Sequence, residues 1–158
     1  MSIFEKSTNT RGSVFLSPMS GELRDLKKCE DPIFAEEIIG KGVLIIPDEP
    51  AVFAPCPGLV TMVAEGEHAI AIKNSAGLQI LVHVGIDTVE LEGEGFKALV
   101  KEGDKVFPGD KLIEFDMDLL KNKGKSLESP VLITTPNIGR IDILGPGHVK
   151  VGDELIGV

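Results

Sequence analysis

Tryptophan and tyrosine are absent from this chain, and seven phenylalanines supply all of its aromatic content, 4% of 158 residues. A core without large polar-tipped rings must be closed by Val, Ile and Leu, and the 42% hydrophobic content allows it. Cysteine is scarce as well. Cys29 and Cys56 show no CxxC spacing and no Cys/His metal pattern, which excludes a disulfide framework and suits two inert thiols in a reducing compartment. Basic residues are outnumbered, 16 Lys and Arg against 25 Asp and Glu, for a formal charge of −9. Acidic residues scattered in this way disfavour nucleic acid and anionic lipid and suit a basic protein partner. No apolar run approaches the roughly 18 residues of a membrane span, so direct membrane insertion is not expected. The opening MSIFEKSTNTRGS lacks the apolar centre of a signal peptide. A cytoplasmic protein is expected, long enough to bury a core without disulfides or metals.

Residues 1–12 are polar, the composition of a disordered lead-in, and a single domain is expected over 13–158. From Val14 onward, short apolar runs alternate with Gly, Pro, Asn and Asp in GSVFLSPMSG, GKGVLIIPDEP, APCPGLVTMV, EHAIAIK, LQILVHVG, KLIEFD, SPVLITTPN and GHVKVGDELIGV. That rhythm predicts an all-β sandwich or barrel. Two short helices interrupt it. In DPIFAEEIIGKG, Asp31 caps, Pro32 takes the first helical position, Phe34 and Ile38 fall one turn apart and Gly40 ends the helix. In DMDLLKNKG, Asp116 or Asp118 caps and Gly124 terminates. SPMSGEL also echoes APCPGLV, and KVFPGDKLIEF echoes HVKVGDELIGV. Either the chain carries a duplication or Gly-Asp turns recur for local steric reasons.

EHAIAIKNSAGLQILVHVG, residues 67–85, holds two of the three histidines on either side of a turn. His68, Ile70 and Ile72 alternate with Ala69, Ala71 and Lys73, and Asn74-Ser75-Ala76-Gly77 supplies turn chemistry. With a four-residue loop, Lys73 faces Leu78, Ile70 faces Leu81 and His68 faces His83. Opposed residues share a face with Cβ atoms roughly 4.5–5.5 Å apart, whereas a one-residue slip separates the faces. Two imidazoles so placed resist double protonation, and Ile70 and Leu81 add desolvation, so at least one neutral ring is expected. Its free lone pair is either a nucleophile or a metal ligand. His148, in LGPGHVKVGD, reads as a solvated loop residue without an assigned role.

HAIAI, LVHVGIDTVELEGEGF and EGDKVFPGDKLIEFD, with SPMSGEL, DPIFAEEIIGKG and APCPGLV, resemble the glucose-class enzyme IIA of the bacterial sugar phosphotransferase system over nearly the whole chain from about Val14. The resemblance implies an antiparallel β sandwich of the barrel-sandwich, duplicated hybrid motif type. It implies that His83, which precedes GIDTV, accepts a phosphoryl group from the phosphocarrier protein HPr. His83 then passes it to a cysteine on the IIB domain of a sugar permease. His68 is implied to hydrogen-bond the phosphoryl oxygens without being phosphorylated. Such a transfer asks for in-line positioning and charge neutralisation, which one attacking imidazole and one donor supply. No nucleotide, magnesium or other cofactor is required.

From the matching positions, Ile33, Phe34, Ile38, Ile39, Leu81 and Val89 are expected to form a shallow apolar docking face. Asp31 and Asp87 would rim it and pair with basic groups of HPr, although Asp31 also reads as a helix cap and Asp87 as a turn former. One departure stands out: the family usually places threonine two residues before the first histidine, where this chain has Gly66. A water, a backbone group or Glu67 would then hold the His68 ring. The initiator Met and polar lead-in point to a free subunit rather than a fragment of a longer permease.

Two other readings use the same residues differently. A zinc hydrolase would take His68 and His83 as ligands, but no HxH or HExxH pattern appears and Asp87 or Glu90 would have to complete the set. Zinc held by His68 and His83 only in a partner complex remains compatible with a carrier. A lipoyl- or biotinyl-type carrier is suggested by EGDKVFPGDKLIEF, yet the Met-flanked lysine hairpin of such carriers is missing.

Overall fold

AIAIK is apolar at four consecutive positions, and a strand of that kind needs both faces covered. In the computed structural model, which describes residues 12–158, Ala69 to Ile72 are all buried inside an eight-stranded antiparallel sheet. The strands run in chain order as β1 (Val14–Leu16), β2 (Gly21–Asp25), β3 (Lys41–Pro47), β4 (Ala51–Phe53), β5 (Gly58–Val63), β6 (Ala69–Lys73) and β7 (Gln79–His83). They continue as β8 (Phe96–Ala98), β9 (Lys105–Val106), β10 (Lys111–Phe115), β11 (Ser129–Ile133), β12 (Asp142–Ile143), β13 (Gly147–Val149) and β14 (Glu154–Gly157). The large sheet has the order β13-β2-β3-β11-β7-β6-β5-β9, and β4-β10-β8 and β1-β14-β12 form two small sheets. The fold is an antiparallel β sandwich without a closed barrel, which decides between the sandwich and the barrel that the sequence rhythm allows and agrees with the resemblance. The polar lead-in expected over residues 1–12 lies outside the described residues, apart from Gly12.

The main core lies between the large sheet and the small ones, where Ile45, Ile70, Ile72 and Ile80 meet Phe15, Leu112, Ile113 and Ile156. A second apolar cluster of Leu26, Cys29, Phe34, Leu44, Ile86 and Leu132 covers part of the sheet's other face. Burial pushes the Cys29 and Cys56 thiols up to about 11, consistent with inert packing residues.

The sequence echo has a structural counterpart. The strand after SPMSG, β2, pairs with β13, and the strand after APCPG, β5, pairs with β9. The strands before those turns, β1 and β4, pair with β14 and β10. The two turns also lock to each other: Leu16 N–H donates to Pro55 O at 2.8 Å and Phe53 N–H donates to Pro18 O at 2.8 Å. Each Gly-Asp turn is closed by its aspartate, Asp110 accepting from Phe107 N–H and Asp153 from Lys150 N–H. The recurrence therefore extends to pairing partners, which a purely local steric cause does not supply.

Helix α1 spans only Pro32–Ala35, with Asp31 Oδ1 accepting from Ile33 N–H as expected. It stops earlier than Gly40 because Glu37 takes the left-handed conformation at φ 60°, with Ile38 N–H donating to Ile33 O and Glu37 N–H to Phe34 O. Ile38 is thus swung out of the helix. Helix α2 (Met117–Asn122) is capped by Asp116 and ended by Gly124 at φ 75°, matching the sequence reading.

The hairpin register differs from expectation by one residue. Lys73 pairs with Gln79, leaving a five-residue loop, and Ala69 rather than His68 lies opposite His83. Asn74 is the reason: its Oδ1 accepts from both Ala76 N–H and Leu78 N–H, and its own N–H donates to Leu78 O, so Leu78 belongs to the turn. His148 is solvent-exposed as expected but lies on β13 rather than in a loop, with Nε2 2.8 Å from Asp48 Oδ2.

Candidate active site

His83 is the last residue of β7, where the chain leaves the sheet. Its Nδ1 lies 2.8 Å from the carbonyl oxygen of Gly85. A carbonyl only accepts, so Nδ1 carries the proton and the lone pair of the neutral ring sits on Nε2. The turn that brings the carbonyl back requires glycine: Gly85 has φ 76°, and a Cβ there would stand 2.5 Å from Thr88 Cγ2 and 2.9 Å from Ser126 O.

His68 precedes β6 by one residue, and its carbonyl accepts from Val84 N–H at 2.8 Å. A regular strand in the observed register would send its ring to the other face. The ladder ends at Ala69, however, and the preceding Glu67 is left-handed at φ 62°, so the ring is not bound to that alternation. The His68 and His83 ring centroids lie 5.0 Å apart at an interplanar angle of 78°. Alanine opposite His83 takes up little of the space the two rings share. Phe34 stands 5.2 Å from His83 and Phe96 6.1 Å from His68, centroid to centroid.

These surroundings set the charge state. His68 is 6% exposed, and burial, followed by the neighbouring His83, holds its pKa down to about 4. Burial also lowers the pKa of His83, opposed by the Gly85 carbonyl and by the carboxylates of Asp31 and Asp87. Both rings are neutral at neutral pH. His68 Nδ1 is buried without a hydrogen-bond partner. Glu67 makes no hydrogen bond to it, and its Oε1 accepts instead from Ala98 N–H at 2.5 Å. Gly66 lies beside the orphaned nitrogen, its notional Cβ 3.0 Å from Nδ1.

The family model described as "phosphoenolpyruvate-dependent sugar phosphotransferase system, EIIA 1" matches residues 13–138. The chain belongs to this EIIA family. It is 38% identical over 145 residues to the glucose-specific EIICBA component of the phosphotransferase system from Staphylococcus carnosus (strain TM300). That alignment covers 92% of this chain and 22% of the staphylococcal protein, so the chain spans about a fifth of that relative's length. The glucose permease IIA from Mycoplasma capricolum superimposes with a TM-score of 0.89 at 32% identity, covering 95% of this chain and 97% of that one. The EIIA chain is thus a phosphotransferase component with the IIA β-sandwich fold. Among the described residues no helix is long and apolar enough to cross a membrane.

The residues expected to form the EIIA docking face are distributed unevenly. Phe34 is 9% exposed and belongs to the second cluster while also facing His83. Leu81, half-buried, shares the His83 face two residues up β7. Ile33 and Val89 are 48% and 60% exposed, on α1 and on the 3-10 turn Thr88–Leu91 beside Asp87. Ile38 and Ile39 instead line a groove of about 460 Å³ with Ile133 and Ile138, which neither histidine lines. Among the described residues no group of three or more His, Cys, Asp or Glu side chains could hold a metal ion. Among those residues, Asp87 and Glu90 included, the zinc-hydrolase reading finds no third ligand to join His68 and His83.

Sequence reasoning missed Phe96, Ser126 and Ser129 near the site. Ser126 and Ser129 carry no motif, and only their approach to Gly85 reveals them.

Proposed function

We propose that this EIIA chain carries a phosphoryl group on His83, taking it from phospho-HPr and passing it to the cysteine of a IIB domain. The supporting observation is the His83 Nδ1–H bond to Gly85 O, which leaves Nε2 as the unprotonated nitrogen of a ring whose centroid lies 5.0 Å from that of His68. The Nε2 lone pair attacks phosphorus in line. The P–N bond to the donor imidazole of HPr breaks, and its electron pair stays with that imidazole. In the second half, the cysteine thiolate attacks phosphorus and the P–Nε2 electron pair returns to His83, whose Nδ1 keeps its proton throughout. A loose transition state of this kind is accelerated mainly by positioning and by donors aimed at the equatorial oxygens.

His68 supplies such a donor. With a pKa of about 4 its ring stays neutral, so one nitrogen holds a proton to donate. His68 Nδ1 is buried and meets no protein hydrogen-bond partner, and in this reading Nε2 is the nitrogen that donates to the phosphoryl oxygens. Ile33, Phe34, Leu81 and Val89 form an apolar surface that both protein partners share in turn. Asp31 and Asp87 attract the basic groups of HPr at its edge, while Ile38 and Ile39 extend the surface into the neighbouring groove. The test is to incubate the protein with phospho-HPr and measure acid-labile phosphate: wild type accepts it and His83→Ala does not. Normal acceptance by His83→Ala would overturn the assignment.

A further inference from the structure

Glycine at position 85 gives the turn its shape but nothing to hold it, since a residue without a side chain is the most mobile link a chain has. The carbonyl that fixes the His83 tautomer nevertheless belongs to this residue. The peptides on either side of Gly85 are each held at both ends. In the first, Val84 C=O accepts from Thr88 Oγ1–H at 2.6 Å and Gly85 N–H donates to Ser129 Oγ at 3.1 Å. In the second, Gly85 C=O accepts from His83 and Ile86 N–H donates to Ser126 C=O at 3.1 Å.

Ser129 is the part of this clamp that a side chain supplies from a distant segment. Pairing of β7 with β11 ends at Val82 opposite Val131, and beyond it the Ser129 hydroxyl takes the Gly85 N–H that no backbone carbonyl receives. Ser129 is 0% exposed and is anchored by pairing with Ile45 of β3, and its hydroxyl donates in turn to Leu127 O at 2.8 Å. The hydroxyl is therefore both oriented and fully used. Without it the Gly85 N–H would be buried and unpaired, and a shift of the turn that finds it another partner would act through the flexible Gly85 link on the carbonyl of the next peptide.

We infer that Ser129 is a positioning residue for His83: by holding the Gly85 N–H it keeps the Gly85 carbonyl on Nδ1 and the lone pair on Nε2. Its consequence for transfer rests on the proposed role of His83, whereas its consequence for the tautomer does not.

The experiment combines ¹⁵N NMR of the histidine rings with the rate of phosphate uptake from phospho-HPr, in Ser129→Ala, Ser129→Cys and Ser129→Thr. Ser129→Cys keeps the volume with a weak acceptor and serves if alanine prevents folding. Ser17→Ala, which removes an equally buried hydroxyl bonded to Met19 O, controls for simple loss of stability. Expected are a fall in the Nδ1–H population of His83 and about tenfold slower uptake in the alanine and cysteine variants. Threonine restores both, and Ser17→Ala changes neither. An unchanged His83 tautomer in Ser129→Ala or Ser129→Cys overturns the inference, whatever the rates or melting temperatures do. If wild type takes up no phosphate, the proposed function fails, and the tautomer readout still decides the role of Ser129.

Discussion

The carbonyl oxygen of Gly85 lies 2.8 Å from Nδ1 of His83, and that single bond decides which nitrogen of the ring can react. The rest of the site follows from it. A neutral companion ring stands 5.0 Å away, and burial keeps both imidazoles neutral.

His68 is expected to matter more for moving phosphate than for holding it. His68→Gln should still accept phosphate from phospho-HPr, while onward transfer to a IIB domain falls about 100-fold, the scale for losing one donor to a transferring group. Rapid-quench measurement of both half-reactions separates the two effects. Onward transfer at the wild-type rate would refute the donor role.

Stability should fall on mild acidification. The folded-state pKa of His68 is about 4, below its ordinary value of 6.5, so between these values the unfolded chain binds more protons than the folded one. The stability tied to the neutral ring is fully present above pH 6.5 and is lost as pH drops toward 4. His83, also lowered, acts in the same direction. For His68 the full window corresponds to about 3 kcal/mol. Melting curves from pH 7 to pH 4 should show a shallower decline in His68→Gln than in wild type.

Docking should be separable from folding at the exposed apolar positions. Ile33 is 48% exposed and Val89 60%, so Ile33→Asp and Val89→Asp remove little core packing. Each should raise KM for phospho-HPr about tenfold, with stability changed by less than about 0.5 kcal/mol. Ile38→Asp lies in the groove away from the histidines and tests how far the surface extends. An unchanged KM in all three would remove the docking face from the account.

Gly85→Ala combines a left-handed backbone at φ 76° with a Cβ placed 2.5 Å from Thr88 Cγ2. The substitution should lower stability by about 2 kcal/mol or more. It should also weaken the Nδ1–H preference of His83, visible in the same ring NMR spectra.

The strands, the α2 boundaries and the Gly-Asp turns were legible because each is governed by nearby residues: Asp116 and Gly124 stop their own helix, and Asp110 and Asp153 close their own turns. The hairpin register was not, because Asn74 draws Leu78 into the loop through its side chain, a choice that strand periodicity does not encode. The two rings meet even so, since His68 sits just past the regular ladder and escapes its alternation. The end of α1 eludes the sequence for a related reason: Glu37 adopts a conformation usually left to glycine. The Gly85 clamp was invisible because Ser129 lies 44 positions away and carries an ordinary residue type into an extraordinary place.

The most direct test of the account is to phosphorylate ¹⁵N-labelled protein with phospho-HPr and locate the phosphorus–nitrogen bond by NMR. The phosphoryl group is expected on Nε2 of His83, with the proton retained on Nδ1 and His68 unmodified. A phosphoryl group on Nδ1 of His83, or on either nitrogen of His68, would contradict it.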